Sequence, residues 1–187
     1  EYLDFIEKGK NQSNLEKLMN PVWHVHNGTI PNENTIMSFS MLLNLVETSN
    51  ADNKKLLWKF VKKYKQDIKE DEHPIFDNLI EYAIKYFNDV IKTKKVYKTP
   101  NENEKVALNA LIKSLDNCND DMAPEELQTN IFTVGKENGY KENLRDWFKL
   151  IYEVVFGDEN GPRMGFFISF FGVQETKQLI KNKLNNV

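Results

Sequence analysis

The feature that most constrains the fold of this chain is the spacing of its apolar residues, which recur at helical intervals almost everywhere after Ser38. Apolar side chains at positions i, i+3, i+4 and i+7 share one face of an α-helix, which can then be buried. Four such stripes occur, at Leu56–Tyr64, Phe76–Ile91, Leu108–Leu115 and Leu144–Val155. The alternation that is typical of β-strands is hard to find. The spacing therefore predicts an all-α fold.

Prolines and polar caps divide the stripes into separate helices. Pro74 and Pro124 suit the first turn of a helix, because that turn leaves its N–H groups unpaired. The sequence Thr99-Pro100-Asn101-Glu102 offers an N-cap, a first-turn proline and a capping-box acid, so it predicts another helix start. The polar segment from Lys92 to Pro100 has no clear stripe and predicts a boundary between two packed helical subdomains, residues 1–95 and 96–187.

The stretch from Gly161 to Thr176 reads Gly-Pro-Arg-Met-Gly-Phe-Phe-Ile-Ser-Phe-Phe-Gly-Val-Gln-Glu-Thr. Pro162 fits the first position of a short apolar helix, and Gly172 fits a left-handed stop. Arg163 could add a donor fork to the free N–H groups of that helix start and so bind a phosphate or carboxylate. The alternative is a buried helix whose arginine pairs with an internal acid.

Charge and composition exclude several classes of protein. The 187 residues can bury a sizeable core, but the net charge of −3 is unlike that of a nonspecific nucleic-acid binder, so any RNA contact must be local. Cys118 is the only cysteine, which fits a reducing compartment. The longest apolar run, Met164 to Phe171, is far shorter than the roughly 20 residues of a membrane span. We therefore expect a soluble, cytoplasmic protein without a membrane partner.

His24 and His26 are two residues apart, which would place both imidazoles on one side of an extended segment. Tetrahedral zinc needs about four ligands, and only His73 and Cys118 remain as further nitrogen or sulfur donors, so we expect no metal. Trp23, His24 and His26 could instead form a loop that offers stacking planes and hydrogen bonds to an unstacked base. Equally, Trp23 could be a core anchor, with the histidines bonded to backbone.

The segment Lys54 to Lys65 is the clearest basic element, with six lysines and no acid. The helical stripe predicts that Trp58 lies on the opposite side, among lysines that include Lys62. Such a ring could stack on a base of single-stranded RNA while the ammonium groups neutralise phosphates. The open alternative is that Trp58 packs under the next subdomain. A second basic cluster, at Lys92 to Lys98, has the same ambiguity.

Two blocks of the chain resemble class I lysyl-tRNA synthetases: the Gly161–Thr176 stretch and Asn20-Pro21-Val22-Trp23-His24-Val25-His26-Asn27-Gly28. Three further blocks follow in that family's order, so the resemblance covers essentially the whole chain. They are Met37–Val46, Tyr82–Tyr86 with Lys94-Lys95, and Trp147-Phe148 with Tyr152.

The resemblance implies the helix-cage-like, anticodon-binding C-terminal region that these enzymes share distantly with glutamyl-tRNA synthetases. The chain has no His-Ile-Gly-His-like or Lys-Met-Ser-Lys-Ser-like signature and no room for a Rossmann domain, so we expect a fragment that is inactive alone. The intact enzyme would use ATP and Mg²⁺ to form lysyl-adenylate and would then esterify lysine tRNA, its expected partner; no DNA is expected.

From residue type and position, the candidate RNA contacts are of two kinds. The stacking or base-edge candidates are Trp23, His24, His26 and Trp58, and the phosphate candidates are Lys62, Lys95, Arg145 and Arg163. No catalytic residue and no metal ligand is expected in this chain, and no cofactor either. Two alternatives remain, the equivalent module of a glutamyl-tRNA synthetase and a helical scaffold that binds another protein.

Overall fold

A computed structural model describes residues 1–49 and 51–185, and Tyr64 by its backbone only. The described residues form α-helices and short helical turns and contain no strand, which confirms the all-α prediction. The helices are α1 (Tyr2–Lys10), α2 (Asn14–Lys17), α3 (Pro21–Val25), α4 (Phe39–Ser49), α5 (Lys54–Tyr64), α6 (Pro74–Tyr86), α7 (Glu102–Ser114), α8 (Pro124–Gly135), α9 (Leu144–Val155), α10 (Met164–Phe171) and α11 (Val173–Asn185).

The starts of the helices follow the polar caps, although not always the predicted ones. Pro74 and Pro124 open α6 and α8 as expected. The cap of α7 is Asn101, which accepts a hydrogen bond from the Glu104 N–H at 3.0 Å and donates its own N–H to the Glu104 carboxylate at 2.8 Å. The predicted capping pair, Thr99 and Glu102, is therefore wrong by two residues, because the true capping box begins after Pro100.

Helix α10 begins at Met164, so the prediction that Pro162 occupies its first position is wrong. Its predicted stop is confirmed at Gly172, where φ is 110°, and α11 follows immediately. Gly165 allows α10 to lie directly against α8: a Cβ at this position would come within 2.1 Å of the Pro124 carbonyl oxygen. The Gly165 N–H donates to Gln128 Oε1 at 2.8 Å, so a side chain of α8 already occupies one donor of this helix start.

Most of the buried apolar residues form one cluster that extends from Ile36 to Ile180. The rings of Phe60 on α5 and Phe171 on α10 meet within it, with centroids 5.4 Å apart. A 3₁₀ turn, Lys92–Lys94, and the residues up to Asn101 connect the two halves of the sequence. The division into subdomains at residue 95 stays a prediction.

Trp58 is buried, and its predicted exposed position opposite the apolar stripe is wrong. On an ideal helix Trp58 is 100° from Leu57 and only about 60° from Val61, so it flanks the buried face. Helix α6 covers that flank. The indole Nε1 donates to Asp77 Oδ1 at 3.0 Å, and the ring meets Phe76 edge-on with centroids 5.3 Å apart.

Helices α1 to α3 form a small unit with little core of its own. Its buried side chains include Ile6, Val22 and Asn20. The Asn20 amide caps α3 through the Val22 N–H at 3.0 Å and donates to the Phe5 carbonyl at 2.9 Å, which ties α3 to α1. Asn20 directly before Pro21 is an N-cap followed by a first-turn proline, so the sequence held a signal for this helix start that was not used.

Within residues 1–49 and 51–185, none of the helices is both long enough and apolar enough to cross a membrane.

Candidate nucleic-acid interface

A groove of about 500 Å³ lies between α4, the end of α6 and the loop at residues 157–162. Its first wall carries Ser40 and Asn44, its second carries Tyr86 and Lys94, and the loop contributes Gly161-Pro162. These residues belong to three of the sequence blocks singled out above, Met37–Val46, Tyr82–Tyr86 with Lys94-Lys95, and Gly161–Thr176. Segments that are far apart in the sequence therefore converge on one site.

Tertiary hydrogen bonds hold the loop wall of the groove in place. Lys95 Nζ donates to the Phe156 carbonyl at 2.6 Å, just before the loop, and the Tyr152 hydroxyl donates to the Pro162 carbonyl at 2.9 Å, at its end. Gly161 has no room for a side chain, because a Cβ there would lie 2.4 Å from the Tyr152 ring. The fourth block, Trp147-Phe148 with Tyr152, thus positions the loop from behind.

A polar network built on the largely buried side chains of Glu47 and Lys95 supports the groove. Glu47 pairs with Lys95 at 3.0 Å and accepts a hydrogen bond from the Tyr97 hydroxyl at 2.5 Å. Burial, and next the hydrogen bond to Glu47, raise the pKa of Tyr97, which therefore stays a neutral donor. Lys183 Nζ lies 3.2 Å from the centroid of the Tyr97 ring, and burial, reinforced by repulsion from Lys95, lowers the pKa of Lys183.

The exposed groups of the groove suit an unstacked nucleotide. Tyr86 is 45% exposed and offers a ring for stacking. Lys94 is exposed and has no ion-pair partner among the described residues, so its ammonium group is available to a phosphate. Asn44 on α4 and Asn160 on the loop also line the groove. The Asn44 amide donates one N–H to the Ser40 carbonyl at 2.9 Å, which leaves its oxygen and second N–H, and amides can both donate and accept hydrogen bonds with a base edge. The combination of ring, cation and amides matches what single-stranded RNA recognition requires.

The Trp23-His24-Val25-His26 segment lies at the end of α3, in the α1 to α3 unit and outside this groove. It is helical rather than extended, so the prediction that both imidazoles lie on one side of an extended segment is wrong. His24 Nε2 hydrogen-bonds the Leu18 carbonyl at 2.7 Å, and His26 Nε2 hydrogen-bonds the Tyr2 hydroxyl at 2.6 Å. The chain then turns back with positive φ at Asn27-Gly28, which brings the Gly28 N–H to the Trp23 carbonyl at 2.8 Å.

The predicted basic contacts are dispersed over the molecule. Lys95 faces the groove, but its ammonium group is engaged by Glu47 and by the Phe156 carbonyl. Lys62 pairs with Glu70 at 2.6 Å on α5, which also carries the buried Trp58. Arg145 is exposed on α9. Arg163 follows the groove residue Pro162 directly and is exposed, 3.8 Å from Glu125.

Sequence reasoning named the blocks that line the groove but missed Tyr86, Lys94, Asn44 and Asn160 as individual candidates. Resemblance to a family pointed to the blocks that hold Tyr86 and Asn44, the basic cluster Lys92 to Lys98 also included Lys94, and no signal pointed to Asn160. Among the residues that the structure describes, no three His, Cys, Asp or Glu side chains lie together as a metal site would require.

The chain is similar along nearly its whole length to proteins named lysine–tRNA ligase. Over 186 residues, 98% of this chain, it is 39% identical to the ligase of Rickettsia peacockii and equally similar to that of Rickettsia conorii. The ligase of Rickettsia felis is 38% identical over the same length. These matches confirm the resemblance to lysyl-tRNA synthetases. The chain spans 35% of the length of these relatives. No family model and no solved structure matches it.

Proposed function

We propose that this chain is the anticodon-binding part of a lysine–tRNA ligase of class I and that the groove beside Tyr86 receives an unstacked base of the lysine tRNA anticodon. The observation that carries the proposal is the convergence on that groove of the blocks that resemble lysyl-tRNA synthetases. Three of the five blocks line it, and a fourth holds its loop in place through Tyr152.

The chemistry of the ligand fits the groups of the groove. Lysine codons demand a uridine-rich anticodon, and a splayed-out uridine presents an N3–H donor with O2 and O4 acceptors on its edge. The amides of Asn44 and Asn160 can complement this edge, while Tyr86 stacks and Lys94 neutralises a phosphate. Because the chain carries a net charge of −3, such local groups must supply the contact.

The catalytic chemistry is assigned to the part of the ligase outside this chain. That part would activate lysine with ATP and Mg²⁺ as lysyl-adenylate and then esterify the tRNA. The predicted RNA contacts of Trp23, His24, His26, Arg145 and Arg163 lie outside the residues that line the groove and stay predictions.

Two tyrosines on α6 offer a matched test in the full-length ligase. Tyr86 lines the groove, whereas Tyr82, one turn earlier and 63% exposed, does not. Tyr86→Ala should raise the KM for lysine tRNA by about 5- to 150-fold, which corresponds to about 1–3 kcal/mol for one stacked base. Tyr82→Ala should leave it near the wild-type value, and neither change should alter lysine-dependent ATP–pyrophosphate exchange.

Circular dichroism should show that both variants keep their helices. If Tyr86→Ala and Tyr82→Ala had the same tRNA KM as the wild type, the groove would not be the anticodon site.

A further inference from the structure

The α1 to α3 unit exposes four large apolar side chains, which form an apolar patch. The patch consists of Leu15, Leu18, Met19 and Val25, whose exposed fractions are 77%, 51%, 86% and 68%. Within the same unit the buried apolar side chains are those of Ile6 and Val22. Four exposed large apolar side chains on such a small unit are unlike an ordinary solvent-facing surface, so this patch is a candidate docking surface.

Local hydrogen bonds hold the patch together. Leu15, Leu18 and Met19 lie at the helical spacing i, i+3 and i+4 on α2 and the turn that follows it. The bond from His24 to the Leu18 carbonyl brings the end of α3, with Val25, beside this turn. His24 and the capping residue Asn20 thus hold two short helices in a fixed arrangement with their apolar side chains outwards.

The charge around the patch argues against RNA as its partner. Residues 1–28 contain four acidic and three basic side chains, a net charge of −1 with neutral histidines. A surface that binds nucleic acid through phosphates needs an excess of cations. Apolar side chains bordered by balanced charge are typical of a contact between protein domains.

We infer that this patch docks onto the part of the lysine–tRNA ligase that lies outside the chain, so that α1 to α3 join the catalytic and RNA-binding parts of the enzyme. The relatives are almost three times as long as this chain, which spans 35% of them. The occupant would therefore be covalently attached and always present, which explains how such a surface can be tolerated. The inference rests on the proposal that the chain is part of that ligase.

Cysteine labelling in the full-length ligase tests this docking surface. Met19→Cys places a thiol on the patch, and Val106→Cys places one on α7, where Val106 is 64% exposed and far from the patch in sequence. Native protein is treated with a maleimide, and the labelling rate of each peptide is read by mass spectrometry. In the native protein, Met19→Cys should react about tenfold more slowly than Val106→Cys, because a docked patch is uncovered less than a tenth of the time. In denaturant, the two cysteines should react at the same rate.

Each other outcome rejects the inference. Equal rates for the two cysteines would mean that the patch is free. Protection that disappears on dilution would identify a second copy as the occupant, and protection that appears only when lysine tRNA is added would identify RNA. The labelling needs no tRNA and the Tyr86 test does not involve the patch, so the two proposals fail separately.

Discussion

Lys95 has two bonds inside the protein, and they determine what its removal should do. Its ammonium group pairs with the carboxylate of Glu47 at 3.0 Å and donates to the Phe156 carbonyl at 2.6 Å, and both charged side chains are largely buried. Lys95→Met would leave the Glu47 carboxylate with the Tyr97 hydroxyl as its remaining donor. Removing one partner of such a buried pair costs about 3 kcal/mol. We therefore expect Lys95→Met to lower the free energy of unfolding, measured by urea denaturation, by about this amount.

Lys92→Met is the matched control, because Lys92 is exposed on the adjacent turn. It should change the stability by no more than about 0.5 kcal/mol. The double variant Glu47→Gln, Lys95→Met should recover part of the loss, since it no longer buries an unpaired charge. A single Lys95→Met variant as stable as the control would show that the pair contributes nothing.

Lys95 and Trp58 also show why individual contacts could not be predicted from the sequence. A lysine in a basic run and a tryptophan among lysines are typical of an RNA surface, and helical spacing puts Trp58 only at the flank of the stripe, where it could be either exposed or covered. The burial of Trp58 depends on two residues of α6: Asp77 accepts the indole N–H, and Phe76 packs against the ring. Neither partner lies within the periodicity of α5, so only the tertiary structure decides between the two interpretations.

At the scale of helices, α10 packs against α8 at Gly165 so closely that a side chain would not fit. In an isolated helix, replacing glycine by alanine stabilises by about 0.5–1 kcal/mol. Here the new Cβ would lie 2.1 Å from the Pro124 carbonyl oxygen and 2.8 Å from the Gln128 nitrogen, both backbone atoms that cannot rotate away. Gly165→Ala should therefore destabilise the protein by about 1–3 kcal/mol in urea unfolding. A variant of equal or greater stability would show that α10 can move away from α8 without cost.

Asp120 joins two helices and makes the stability depend on pH. Its carboxylate accepts the Val173 N–H at the start of α11 at 2.8 Å and pairs with Lys63 of α5 at 2.7 Å. Burial alone would raise the pKa of Asp120, but these hydrogen bonds outweigh it, so the folded pKa lies below the usual value. The stabilisation is therefore fully present above the unfolded pKa of about 3.9, and it is lost as the pH falls through the folded pKa.

Asp120→Asn keeps an acceptor for the helix start but removes the charge. Because Asp120 is 40% exposed, solvent screens the pair, and we expect a loss of only about 0.5–1 kcal/mol at pH 7. The difference from the wild type should vanish by about pH 2, as measured by urea unfolding across the pH range. Asp121→Asn, at the exposed neighbouring carboxylate, is the control and should follow the wild type throughout.

The elements themselves were largely predictable, because each depends on local chemistry. The apolar stripes, the prolines of α6 and α8 and the stop at Gly172 are properties of a few consecutive residues. Errors arose where one residue decides a boundary, as at Asn101, or where a short helix such as α3 has too few residues to show a period. The extended interpretation of His24 and His26 failed for this second reason.

For the whole molecule, the sequence blocks indicated which segments matter but not where they meet. The loop that closes the groove is positioned by Lys95 and Tyr152, through hydrogen bonds to the Phe156 and Pro162 carbonyls. Because every residue has a backbone carbonyl, the sequence does not indicate which carbonyls accept such hydrogen bonds. The groove therefore became visible only in three dimensions, although most of its wall residues belong to blocks already singled out.

The path of the RNA over the molecule can be decided by comparing two pairs of exposed lysines. Lys92 and Lys94 lie on the 3₁₀ turn beside the groove, whereas Lys55 and Lys59 lie on α5. Each contact between a lysine and a single-stranded phosphate contributes about 0.7 to the slope of log affinity against log salt. In the full-length ligase, Lys92→Gln with Lys94→Gln should therefore reduce the slope for lysine tRNA by about 1.4, and Lys55→Gln with Lys59→Gln should leave it unchanged. The opposite result would place the RNA on α5, where the basic run of the sequence first suggested it, and would leave the groove without a phosphate contact.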